Sequence, residues 1–201
     1  EEISYADGST GWVLMAASLS TGTGAAFISE RYADEIFAGK SRTPVIAGQG
    51  APMGKAVARD GGYVISGVWT YGSGVKHAQY LHTGAAVYEA DGKPRLDRLG
   101  NPEARIFVAP KSSFEMGGNW DVMGLRATGS IDYTSPGVFV PEGATHITDT
   151  NVPLRGGNIF RLGIRGLSTI GHTGFTMGIA RRILDEIADI SKSKTNRLGR
   201  L

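Results

Sequence analysis

The chain has 201 residues, 41 % of them hydrophobic and 20 % charged, with a formal net charge of +2. That length suits one large domain or two small ones of roughly 100–200 residues each, with apolar content enough for a real core, and the charge balance gives no field that favours nucleic acid. There is no cysteine, which excludes disulfides, a thiolate nucleophile and Cys-ligated metal, and no apolar run of about 18 residues suggests a membrane span.

The first elements read as helices. Ser9 is placed to cap a helix from about Gly11 through Leu19, with Trp12, Met15 and Leu19 on one side, and Gly22 and Gly24 weaken it beyond that. A second helix, about Ser29 to Phe37, has Ser29 as cap and Gly39 as stop. The opening Glu1-Glu2-Ile3 has neither Met nor a signal-peptide pattern, so Glu1 is not expected to be a natural start, and a cytoplasmic location is expected.

From Pro44 to Pro141 the pattern changes to short strands and turns. Val45-Ile46-Ala47 is a short apolar run. Ala56-Val57-Ala58 enters the turn signal Arg59-Asp60-Gly61-Gly62, which leads into Tyr63 to Trp69. Further runs are Tyr80 to Tyr88, Arg105 to Ala109 and Gly137 to Val140, and Asp91-Gly92-Lys93-Pro94 marks another turn. Such spacing predicts a β-barrel or sandwich of roughly 100 residues. From about Ile164 to Ser191 the apolar positions return to helical spacing, and Gly171, Gly174 and Gly178 form a stripe that lets another backbone come close. A lone helix with that apolar stripe needs partners, which predicts a bundle completed by further helices.

Three motifs, in this order, carry a resemblance to the acyl-CoA dehydrogenase superfamily. Gly61-Gly62-Tyr63-Val64-Ile65-Ser66-Gly67-Val68-Trp69-Thr70-Tyr71-Gly72-Ser73-Gly74 resembles the family strand that ends at the flavin ring. Gly124-Leu125-Arg126-Ala127-Thr128-Gly129-Ser130, with Val138-Phe139-Val140-Pro141, is similar to its "Gly-x-Arg-x-Ser-x-Thr" turn and closing strand. Gly178-Ile179-Ala180-Arg181-Arg182-Ile183-Leu184-Asp185 is similar to the start of its helical bundle. Within the superfamily, Asp7-Gly8-Ser9-Thr10-Gly11-Trp12, Ser73-Gly74 in place of Thr-Asn, and Ala127-Thr128-Gly129-Ser130 resemble the reduced-flavin-dependent, two-component aromatic hydroxylases.

The resemblance implies an α+β fold. Residues 1–42 would end an N-terminal helical domain, 43–150 would form the middle β domain that contacts flavin, and 151–201 would begin a C-terminal helical bundle. It implies Ser73 as the catalytic hydroxyl, with Gly48, Gln49, Gly50, Tyr71, Ser73, Gly74 and Thr128 at the cofactor and Trp12, Ser20 and Ser130 around substrate; His172, in the glycine-rich part of the long helix, is a further candidate to face the substrate. Some of these hydroxylases carry a His where Ser20 stands, and the Arg with which the dehydrogenases grip adenine falls on Thr195, in Thr195-Asn196-Arg197-Leu198-Gly199. The expected activity is a monooxygenase that takes reduced FMN or FAD from a separate flavin reductase and hydroxylates a small aromatic or polycyclic substrate. An acyl-CoA dehydrogenase with bound FAD and an electron-transfer flavoprotein partner is the alternative, and a non-catalytic scaffold is a third. A homo-oligomer, tetramer or dimer, is expected in each case.

By residue type alone these positions read more plainly. Ser73 is a turn residue beside Gly74. Trp69 and Tyr71, two apart, share one strand face, with Tyr71 nearer the serine and so the better ring contact. Trp12 is as easily a buried helix aromatic as a pocket wall. The histidines, at 77, 82, 146 and 172, form no metal-spaced pair, so no metal is expected.

Overall fold

The computed structural model describes residues 1–195, so Asn196 to Gly199 of the adenine-linked stretch lie outside the described residues. Helices α1 (Glu2–Ala6), α2 (Gly8–Phe27) and α3 (Glu30–Phe37) come first. The cap of α2 is Asp7, not Ser9: its carboxylate accepts from Thr10 N at 2.7 Å, and Ser9 lies inside the helix. The helix also runs on through Gly22 and Gly24. A Cβ at Gly24 would sit 2.8 Å from Ile46 Cδ1, so this glycine lets α2 lie directly on the first strand. That packing offsets the ~1 kcal/mol a helical glycine costs relative to alanine. Ser29 caps α3 by position, but its side chain makes no capping bond and its N–H donates to Gly143 O at 2.8 Å.

The middle of the chain forms β1 (Ile46–Ala47), β2 (Gly54–Arg59), β3 (Gly62–Trp69), β4 (Tyr80–Tyr88), β5 (Ala104–Pro110), β6 (Glu115–Met116), β7 (Tyr133–Pro141) and β8 (Thr145–Ile147). All belong to one sheet of order β6-β7-β3-β2-β4-β5-β8, with β1 beside the start of β4. Thus β4 pairs in parallel with β1 at Tyr80–Leu81 and with β2 from Ala85, and antiparallel with β5. The β2–β3 hairpin closes at the predicted turn, where Gly61 has φ +72°. The core of the sheet centres on Trp69, which is wholly buried, stacks on Tyr133 at 5.5 Å and donates from Nε1 to Gly84 O at 2.7 Å. Truncating such a ring costs about 3–5 kcal/mol.

Trp69 and Tyr71 do not share a face. The strand ends at Trp69, and Tyr71 takes φ +59°, which turns its ring outward to 65 % exposure. Strand alternation governs side-chain direction only while the backbone remains extended.

After β8 the chain passes through short turns into α4 (Gly163–Ser191). Its glycine stripe is used as the pattern predicts. A Cβ at Gly171 would meet Met15 Cγ of α2 at 2.7 Å, and one at Gly178 would collide with Glu1 O and meet Ser4 Cβ of α1 at 2.8 Å. Tyr5 Oη donates to Asp185 Oδ2 at 2.8 Å, and Arg181 reaches Glu1 and Glu2, which hold α1 across α4. Further along α4, Ile183, Leu184, Ile187 and Ile190 are each more than half exposed. Among the described residues no helix is long and apolar enough to cross a membrane.

Candidate functional site

A cavity of about 520 Å³ lies between the sheet and helices α2 and α4. Helix α2 lines it with Trp12, Met15, Ala16, Leu19 and Ser20, a single helical stripe, and α4 adds Ile164, Ser168 and His172, each one turn from the next. The sheet side supplies Gly48 to Gly50, Tyr71, Ser73, His82, Thr128 and Ser130. Of the residues singled out in the sequence, all but Gly74 reach this wall. Gly74 stands behind it with φ +79°, where a Cβ would lie 3.1 Å from Ala47 Cβ.

A line of hydroxyls runs along the sheet side. Trp12 Nε1 donates to Ser73 Oγ at 2.8 Å; Ser73 Oγ and Ser130 Oγ are 2.9 Å apart; Ser130 Oγ donates to Thr128 Oγ1 at 2.9 Å; Thr128 Oγ1 donates to Leu125 O at 2.9 Å. Ser73 is 8 % exposed, and Thr128 and Ser130 are buried more deeply. The 3₁₀ turn Arg126–Thr128 that presents this line is flanked by left-handed residues, Leu125 at φ +52° and Gly129 at φ +50°. Arg126 itself is exposed and lies off the cavity wall.

The loop after β1 is held by Tyr133 and Thr70 and braced within itself. Gln49 N donates to Tyr133 Oη at 3.0 Å, Gln49 Nε2 to Thr70 O at 3.1 Å, and Ala51 N to Gln49 Oε1 at 3.0 Å. The N–H of Gly50, between them, has no protein partner among the described residues. Tyr133 Oη also lies 2.6 Å from Thr83 Oγ1, and burial pushes its phenol up to about 12, so it stays protonated and anchors the loop as a neutral group.

Two histidines face the site differently. On α4, His172 Nδ1–H donates to Ser168 O at 2.7 Å, which leaves Nε2 as acceptor in the neutral ring, and the ring meets Trp12 edge-on at 5.4 Å. On β4, His82 is 4 % exposed, with Nε2 3.5 Å from Thr23 Oγ1. Burial first, and the neighbouring His146 second, push His82 down to about 3, so it is neutral at ordinary pH. Sequence reasoning missed His82: strand alternation around Tyr80–Tyr88 does not say which face meets α2. It also missed Trp120, whose ring lies edge-on to Tyr71 at 6.1 Å at the cavity rim, because the irregular stretch from Gly117 to Leu125 has no periodicity to read.

The fold is shared with flavoenzymes of the acyl-CoA dehydrogenase type. XiaF from Streptomyces sp., solved with FADH2 and glycerol, superposes with a TM-score of 0.78 at 22 % identity, covering 97 % of this chain and 48 % of that one. At that identity the likeness is one of fold. The HsaA monooxygenase from M. tuberculosis superposes with a TM-score of 0.63 at 30 % identity, over 73 % of this chain and 36 % of that one. In sequence, the chain is homologous to oxygenase components of flavin-dependent, two-component monooxygenases. It is 36 % identical over 135 residues to the oxygenase subunit HsaA of Mycobacterium tuberculosis (strain ATCC 25618 / H37Rv), covering 67 % of this chain and 32 % of that protein. With the indole-3-acetate monooxygenase of Pseudomonas putida it is 33 % identical over 205 residues, covering 99 % of this chain and 48 % of that protein. The chain therefore spans 32–48 % of the length of these curated relatives. No protein-family model matches it.

Proposed function

We propose that this chain is the flavin-contacting part of an oxygenase component that uses reduced FMN or FAD and O2 to hydroxylate a small aromatic or polycyclic substrate. The observation that carries the reading is Ser73, a nearly buried hydroxyl on the cavity wall, held by Trp12 and Ser130 in a chain homologous to such oxygenases. The wall suits a flat ring system. Gly48 and Gly50 have no side chains to obstruct a ring, and the unpartnered Gly50 N–H is a donor suited to a pyrimidine carbonyl. When bound, reduced flavin supplies the electrons and the oxygen chemistry, and the protein supplies placement and electrostatics.

In this reading Ser73 Oγ holds the reactive edge of the ring, while the free N–H of Gly50 holds the opposite edge and Gln49, bonded to Tyr133 and Thr70, fixes that loop in place. Met15, Leu19 and Ile164 give the same cavity an apolar side, which suits a pocket that must keep water from activated oxygen. Ser20 and His172 Nε2 are placed to orient polar groups of the substrate, with Trp12 as an aromatic wall. A flavin reductase would deliver the reduced cofactor. The exposed apolar face of α4 supports further helices covering it, within the same polypeptide or from a second copy. With that cover, 1–42, 43–150 and 151–201 would be parts of three domains in a homo-oligomer, for which we propose a cytoplasmic location. Anaerobic titration of the full-length protein with reduced FMN and FAD tests the reading. Binding of either, followed on mixing with O2 by incorporation of oxygen into an aromatic, supports it; no binding of either flavin overturns it.

A further inference from the structure

Resting on that flavin-site reading, we infer that Ser130 and Thr128 are positioning residues that turn Ser73 into a hydrogen-bond acceptor toward the cavity, so that the site selects reduced over oxidised flavin. Proton counting along the hydroxyl line leads there. Each hydroxyl has one proton to donate. Thr128 uses its proton on Leu125 O, which can only accept. Thr128 Oγ1 therefore accepts from Ser130, and that takes Ser130's proton. Ser130 in turn accepts from Ser73 at 2.9 Å, and that takes Ser73's. Trp12 Nε1, a donor only, points at Ser73 from the other end. The direction of every bond thus follows from one backbone carbonyl and one indole, and the three hydroxyls between them are buried, so each is expected to be satisfied within the line.

Ser73 is left with a lone pair for a ligand and no proton. Reduced flavin carries a hydrogen on the ring nitrogen next to its reactive carbon and donates to such an acceptor. Oxidised flavin has a bare lone pair at that nitrogen, and two acceptors would face each other. An oxygenase fed by a separate reductase needs this asymmetry, because spent oxidised flavin must leave and fresh reduced flavin must bind.

The test is the ratio of dissociation constants for oxidised and reduced FMN or FAD, whichever binds, measured anaerobically on the full-length protein. Ser130→Ala and Thr128→Val each free the proton of Ser73 to point into the cavity. Both are expected to shift the ratio toward oxidised flavin by about tenfold or more, the worth of one buried hydrogen bond against an unmatched pair. Thr128→Ser, which keeps the hydroxyl, is expected to retain the wild-type ratio. A merely structural role would weaken both redox forms alike. Folded Ser130→Ala and Thr128→Val proteins that bind flavin with the wild-type ratio would overturn the inference and leave the flavin-site reading standing; wild-type protein that binds neither form overturns both.

Discussion

The indole Nε1–H of Trp12 donates to Ser73 Oγ at 2.8 Å, joining the first turns of α2 to the segment just past β3 across 61 positions of chain. The same indole packs edge-on against Phe175 at 4.9 Å and His172 at 5.4 Å on α4. One side chain therefore ties the sheet and both long helices together at the cavity.

Trp12→Phe separates the two jobs. The ring contacts with α4 survive while the donor to Ser73 is lost. The expected cost is about 1 kcal/mol in reduced-flavin binding, a several-fold rise in Kd, with little change in melting temperature. Trp12→Leu should lose on both measures. Equal flavin affinity in wild type and Trp12→Phe would remove the bond from the binding site.

Ser73→Ala removes the hydroxyl at the centre of the line and leaves the Trp12 N–H and the Ser130 hydroxyl without their shared partner. The variant is expected to remain folded and to release a larger share of its reducing equivalents as hydrogen peroxide. Product formed per reduced flavin consumed measures this. A folded variant with unchanged coupling takes Ser73 out of the mechanism.

Acid should destabilise the fold through His82 and His146. Burial depresses both, to about 3 and about 4, and their rings lie 6.1 Å apart, with Arg105 acting further on His146. The unfolded chain protonates both near the ordinary value of about 6.5, so below that pH it binds more protons than the folded one. Their contribution is complete above about pH 6.5 and is lost as pH falls toward the folded values. Between about pH 7 and 5 the loss is on the order of 1–2 kcal/mol for each. Denaturant unfolding across that range measures the slope, and His146→Phe should flatten it; a slope identical to wild type assigns the acid sensitivity to other groups.

Gly84→Ala tests how closely the loop at Gly50 must sit on β4. A Cβ at Gly84 would collide with the carbonyls of Gly50 and Ala51, where there is no flexible side chain to yield. The expected cost is about 1–3 kcal/mol in stability, with weakened flavin binding as the loop lifts. Gly118→Ala, where a Cβ meets nothing within 4 Å, is the control and should be near neutral. Comparable melting temperatures for the two variants would show that the loop can move without penalty.

Local chemistry made much of this protein legible in the sequence. The Asp60-Gly61 and Asp91-Gly92 turns, the strand Tyr80–Tyr88 and the long helix to Ser191 all follow from residue preferences and periodicities that act over a few neighbours. The order of the motifs around Tyr63–Gly74, Gly124–Ser130 and Gly178–Asp185 was enough to indicate the fold, and the structural comparisons bear that out. Where α2 begins and ends was less legible, because Asp7 and Ser9 are both good caps and only packing on Ile46 decides that Gly24 stays helical.

What only the tertiary structure decided concerns relations between distant segments. That Trp69 is core while Tyr71 turns outward depends on a single positive φ just beyond the strand. That His82 belongs to the cavity wall depends on which face of β4 meets α2. The direction of the hydroxyl line from Trp12 to Leu125 depends on three segments meeting within hydrogen-bond distance. Residue type determines which groups are able to donate or accept. Only packing determines which of them meet, and so which way each proton points.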